Sequence, residues 1–117
     1  PMNQYNAVAR AWLLTLNNPA NHGYPDCPRA ACEQLRTEWC SKHPLRSGIW
    51  MYCISSNGIH HIHMILTNRA PVRRRLIAMS VPADTIQPFS SSRNLEADIE
   101  RYIRVIDSIE TIVTIVR

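Results

Sequence analysis

Ala11 to Leu16, AWLLTL, is an apolar, β-prone run that stops at Asn17-Asn18-Pro19, three residues with strong turn chemistry. The proline-containing stretch from Ala20 to Pro28 reads as a loop. From about Arg29 to His43 the apolar positions take helical spacing: Cys32, Leu35, Trp39 and Cys40 share one face, and Pro44 ends the pattern. Gly48 to Ser55, GIWMYCIS, reads as a buried strand. Ser56-Asn57-Gly58 then makes a tight turn and Ile59 to Thr67 a returning strand, so the two form a hairpin.

Beyond the hairpin, Pro71 falls where a helix favours proline, which predicts a short basic helix over PVRRRLIAMS. Pro82 to Pro88 holds one short strand centred on Ile86. After the Ser90-Ser91-Ser92 cluster a helix is predicted from about Asn94 to Asp107, with Leu95, Ile99, Ile103 and Ile106 as its apolar stripe. The β-branched tail IETIVTIVR fits either a last strand or a region truncated from a longer protein. The order strand, helix, hairpin, helix, strand, helix predicts an α+β fold with a central antiparallel β-sheet and flanking helices.

Length sharpens this to one domain: 117 residues bury one modest core, not two. Residues 1–10 read as a polar lead-in and 11–117 as the domain. The apolar share of 45% and charged share of 19% mark a globular chain rather than a disordered one. No apolar run approaches the roughly 20 residues of a membrane span, and no secretory leader is expected at the N-terminus.

Charge adds a direction. The net charge is +4, and twelve arginines stand against the single Lys42. Planar guanidinium forks suit bidentate recognition of phosphate, so the bias leans toward nucleic acid.

The densest chemistry lies in Ile59 to Leu66, IHHIHMIL. Strand alternation puts His61, His63 and Ile65 on one face and His60, Ile62, Met64 and Leu66 on the other. Two imidazoles two residues apart on one face stand close enough to share a divalent ion, and imidazole suits borderline metals such as manganese, nickel or zinc. The alternative is a pair of structural histidines in a small basic interaction module. The four cysteines, Cys27, Cys32, Cys40 and Cys53, lack paired zinc-type spacing and read as structural thiols rather than as a zinc site with His43.

In this setting Trp12-Leu13-Leu14-Thr15-Leu16-Asn17-Asn18-Pro19, followed by His61-Ile62-His63 and a helix-borne Tyr102, resembles the rolling-circle replication initiators. These are the Rep-type HUH endonucleases of small circular single-stranded-DNA viruses and bacterial plasmids. The resemblance covers roughly Ala11 to Arg104. It implies metal-dependent nicking and joining of single-stranded DNA, with Tyr102 as nucleophile forming a 5′-phosphotyrosine. It implies His61 and His63 as ligands of a divalent ion, Mn²⁺ or Mg²⁺, with Asp98 or Asn57 as candidates for a third ligand. Arg69, Arg73, Arg74 and Arg75 are the expected phosphate contacts, with Asn17, Asn18 and Arg104 beside them.

Two positions depart from the family. Its usual lysine three residues after the tyrosine is Val105 here, with Arg104 an imperfect substitute, and no acidic residue ends the strand before the histidines. A DNA-binding derivative without catalysis and an HUH transposase therefore stay open as alternatives. Implied partners are single-stranded and stem-loop origin DNA, a helicase domain and host replication proteins, with no membrane. The implied compartment is the cytoplasm for a plasmid protein and the host nucleus for a viral one.

Overall fold

The computed structural model describes residues 7–43, 45–89 and 94–117. Its elements are β1 (Val8–Asn17), a 3-10 turn (Pro19–His22), α1 (Pro28–Lys42), β2 (Leu45–Ile54), β3 (His60–Arg73), α2 (Arg74–Ala78), β4 (Thr85–Pro88), α3 (Leu95–Val105) and β5 (Ser108–Val116). The strands form one five-stranded sheet in the order β4-β1-β3-β2-β5, with every neighbouring pair antiparallel. The fold is α+β, a central antiparallel sheet flanked by helices. Among the described residues no helix is long and apolar enough to cross a membrane.

Alternation along the central strands builds a core on each face. Trp12, Leu14 and Leu16 of β1, Trp50 and Tyr52 of β2 and Ile62, Met64 and Leu66 of β3 pack with Cys32, Leu35 and Trp39 of α1. The intervening residues Leu13, Met51, Cys53 and Ile65 form a smaller cluster on the opposite face. Ile99, Tyr102, Ile103 and Ile106 of the α3 segment rest against it. Asn94 caps α3, its side chain accepting from the Ala97 N–H at 3.2 Å, and Glu96 and Asp98 in the first turn suit the helix dipole.

Two expectations change. β1 begins at Val8, inside the predicted lead-in, because Val8 and Ala9 pair with Arg73 and Val72. The basic helix at Pro71 is instead strand: β3 runs to Arg73, and α2 keeps only five residues. The partners of Ala9 and Ala11 on β3 are Val72 and Thr67, so Asn68 to Pro71 bulge out of the ladder with β1, while Asn68 stays paired with Leu45 of β2. A bulge accepts a proline that lacks an N–H, which is why Pro71 does not break the strand. The tail takes the first of its two expected forms, a last strand, β5, paired with β2. Pro44 and the Ser90-Ser91-Ser92 cluster lie outside the described residues.

Gly48 shows how closely the larger core is packed. A Cβ at this buried β2 position would stand 2.5 Å from the Trp50 indole, which covers it from two residues along the same face. Gly48→Ala is therefore expected to destabilise the fold by about 1–3 kcal/mol. The check is a lowered urea midpoint at unchanged slope.

Candidate functional site

The hairpin of β2 and β3 sets the site. Its turn closes with Gly58 N–H donating to the Ser55 carbonyl, and Gly58 takes the left-handed backbone the turn requires, with φ 82°. From that turn the register places Cys53 opposite His61 and Met51 opposite His63. On the other side β1 places Asn17 opposite His61 and Thr15 opposite His63. Directly paired residues share a face, so Cys53, His61, His63, Thr15 and Asn17 all look toward α3.

Cys53, His61 and His63 bring their ligating atoms within 4.8 Å of one another. The two imidazoles meet edge to face with centroids 4.7 Å apart. His61 Nδ1 lies 3.1 Å from the Ile59 carbonyl, and its Nε2 lies 3.0 Å from Oδ2 of Asp107, at the junction of α3 and β5. Both ring nitrogens thus face acceptors, and a cation shared by Nε2 and the carboxylate would fit this arrangement with the ring proton on Nδ1. His63 Nδ1 is bonded to the Thr15 hydroxyl at 3.0 Å. With the ring proton on Nδ1, Nε2 presents a lone pair to the site.

Burial, together with the neighbouring His61, pushes the His63 pKa down to about 4, so its ring is neutral and fit to be a ligand at pH 7. Burial first, and then the Asp107 charge, raises the Cys53 thiol to about 11. Tyr102 stands beside the group. Its ring meets His63 edge to face at 5.8 Å and Phe89 at 5.7 Å. Burial, then Cys53 and Asp107, holds its phenol up at about 12. The donor set of two imidazoles, a thiol and an adjoining carboxylate fits a divalent cation.

His63 gives the fold a pH dependence. Its folded pKa lies below the 6.5 of an ordinary imidazole, so between these values the unfolded chain binds more protons. Stability is full above pH 6.5, falls as pH drops toward 4, and levels off below. On this half-open ring the loss is on the order of 1–2 kcal/mol after solvent screening. Urea midpoints between pH 4 and 7 in chelator are expected to show this slope, and His63→Gln to flatten it.

The remaining expected residues are distributed differently. Asp98 pairs with Arg101 one turn along α3, and Asn57 accepts from the Ser55 hydroxyl inside the hairpin turn. Neither joins His61 and His63; the third residue of a group that could hold a metal ion is Cys53. All four thiols are free of disulfides, and Cys32 of α1 is buried in the larger core. Phe89, Asp98, Arg101, Tyr102 and Val105 line a groove of about 440 Å³, and the arginine that lines it is Arg101.

Asn18 acts as a turn residue. It adopts φ 48°, and its carbonyl accepts from Asn21. The backbone N–H of Asn17 donates to Asp84 at 2.7 Å. Arg74 Nε donates to the Ile86 carbonyl. Arg69, Arg73 and Arg75 are exposed, and Arg69 lies six residues along β3 from His63, roughly 20 Å away.

Two site residues escaped sequence reasoning. Cys53 was within reach, since counting back through the Ser55–Gly58 turn pairs it with His61. For Asp107, no periodicity points to a carboxylate five residues past Tyr102. The result is an α+β sheet domain with a His–His–Cys group and a tyrosine on one face. No family model matches the chain, and no curated protein or solved structure matches it.

Proposed function

We propose that this chain is a Rep-type endonuclease domain that nicks and joins single-stranded DNA through Tyr102. The observation that carries this reading is the contact of the Tyr102 ring with His63, within the His61, His63 and Cys53 group. His61 and His63 would hold a divalent cation. When bound, the cation supplies Lewis acidity that polarises the scissile phosphate and offsets charge developing on its oxygens. Of manganese and magnesium, the imidazole pair suits manganese, because magnesium prefers oxygen donors.

Tyr102 Oη forms a bond to phosphorus and gives up its proton, while the P–O3′ bond breaks and the 3′-oxygen gains one. The phosphotyrosine ester keeps a transferable phosphoryl bond, so the reverse step rejoins the strand. Thr15 holds the His63 ring in place, and Phe89 holds the edge of the Tyr102 ring. A cation near the phenol also offsets the burial and the anionic neighbours that hold its proton.

Arginines supply the electrostatic part. Arg10 opens β1, Arg46 opens β2, Arg69 and Arg73 close β3, and Arg117 follows β5. The antiparallel register therefore gathers them at the end of the sheet remote from the histidines. All five are exposed, and none forms an ion pair among the described residues. We read this pole as the seat of the stem-loop duplex, with the single strand leading toward Tyr102. Arg46→Ala and Arg69→Ala are each expected to weaken stem-loop binding at every sequence tested. Each should also lower the slope of log K against log salt by about 0.7–0.9, read by fluorescence anisotropy.

A specific observation favours the non-catalytic derivative as second reading. Val105, where the family carries lysine, is 81% exposed in the Tyr102 groove and offers a phosphate nothing. The experiment that decides is incubation with manganese and a panel of stem-loop oligonucleotides, followed by a denaturing gel. A covalent adduct lost in His61→Ala and in chelator supports the nuclease. Cation and DNA binding without an adduct across the panel supports the derivative.

A further inference from the structure

We infer that this site is a four-donor N₂SO centre, formed by His61, His63, Cys53 and Asp107, that takes a zinc-class cation through the Cys53 thiolate. The inference rests on the metal-site part of the proposed function and not on the Tyr102 chemistry.

The chemistry of the donors decides the class of ion. Magnesium and calcium sites are built from oxygen, whereas thiolate and imidazole together select zinc, cobalt(II) and related borderline ions. Cys53 is fully buried, and register places it opposite His61 on the same sheet face, so its sulfur is part of the site floor. Its present contact is a long one of 3.7 Å to the Met51 carbonyl, two residues back on its own strand.

Asp107 reaches the group from its rim, where Oδ2 stands 3.0 Å from His61 Nε2. Donors held at 2.0–2.1 Å by one ion stand roughly 3.0–3.4 Å apart at neighbouring positions, so this pair is close to the spacing of co-ligands. The Ile59 carbonyl occupies His61 Nδ1 and the Thr15 hydroxyl occupies His63 Nδ1, which leaves Nε2 of both rings as the ligand atoms. Asp107 is half exposed, so its carboxylate has room to turn onto the ion. Loading breaks the Cys53 S–H bond, forms the sulfur–metal bond and releases one proton to solvent.

The test is cobalt(II) titration of the whole chain, followed by optical absorption. A near-ultraviolet sulfur-to-cobalt charge-transfer band and intense four-coordinate visible bands are expected. Cys53→Ser should abolish the charge-transfer band and weaken zinc binding at least 100-fold. Asp107→Asn, at an exposed position that leaves the fold intact, should keep the charge-transfer band, alter the visible bands and weaken zinc by about 10–100-fold. Competition should show zinc displacing manganese from wild type. Weak six-coordinate bands with no charge transfer, unchanged in Cys53→Ser, would overturn the inference even with a DNA adduct present. The expected bands without any adduct would leave the inference standing and remove the nuclease reading instead.

Discussion

Tyr102→Phe is expected to yield a folded, DNA-binding protein that forms no covalent adduct, with nicking down at least about 10³-fold. The substitution removes one hydroxyl and keeps the ring. That ring makes the packing contacts, edge to face with His63 at 5.8 Å and with Phe89 at 5.7 Å. Stability should therefore stay within about 1 kcal/mol of wild type, and cation binding to the histidines should be retained. The dissociation is diagnostic, because a variant that lost activity by unfolding would lose the cobalt spectrum and DNA binding together. Adduct formation on a denaturing gel, run beside a circular-dichroism melt, separates the two. An adduct surviving in Tyr102→Phe would move the nucleophile elsewhere.

Trp12→Ala is expected to have the largest effect on stability, a loss of about 3–5 kcal/mol. The indole is fully buried over α1, and its Nε1–H reaches two carbonyls, Ala9 at 3.0 Å and Val72 at 3.1 Å. Those carbonyls belong to the pair at one end of the bulge in which Asn68 to Pro71 leave the ladder with β1. Truncation leaves a cavity and takes the shared donor away from both. Against a typical total of about 5–15 kcal/mol, such a loss is a large fraction. Chemical denaturation with refolding controls measures it. The result also assigns roles within the Trp12–Pro19 motif: Trp12 belongs to the core, and Thr15, bonded to His63, belongs to the site.

The division of the histidines was legible in the sequence because strand alternation is a strict two-residue period. His60 turns to Tyr52 at 2.8 Å while His61 and His63 share the face toward α3. The helices α1 and α3 were legible from their apolar stripes, and the hairpin from its turn residues. Pro71 misled because proline at a helix start and proline in a bulge look alike locally. What separates them is the register of β3 against β1, a long-range pairing. The third ligand was sought among acidic and amide side chains, Asp98 and Asn57, whereas the side chain that the fold brings to the two histidines is Cys53. A cysteine in an apolar strand carries no outward sign of chemistry until its cross-strand neighbour is known. Asp107 meets His61 only through the return of the chain from α3 into β5.

The central claim is that Tyr102 becomes linked to DNA. Wild-type protein is incubated with manganese and stem-loop oligonucleotides, digested, and the nucleotide-bearing peptide located by mass spectrometry. The account predicts a peptide spanning Tyr102 that carries the 5′-phosphate of the cleaved strand on its phenol oxygen. A peptide modified at another residue, or no modified peptide where cation and DNA binding are both measured, would contradict it.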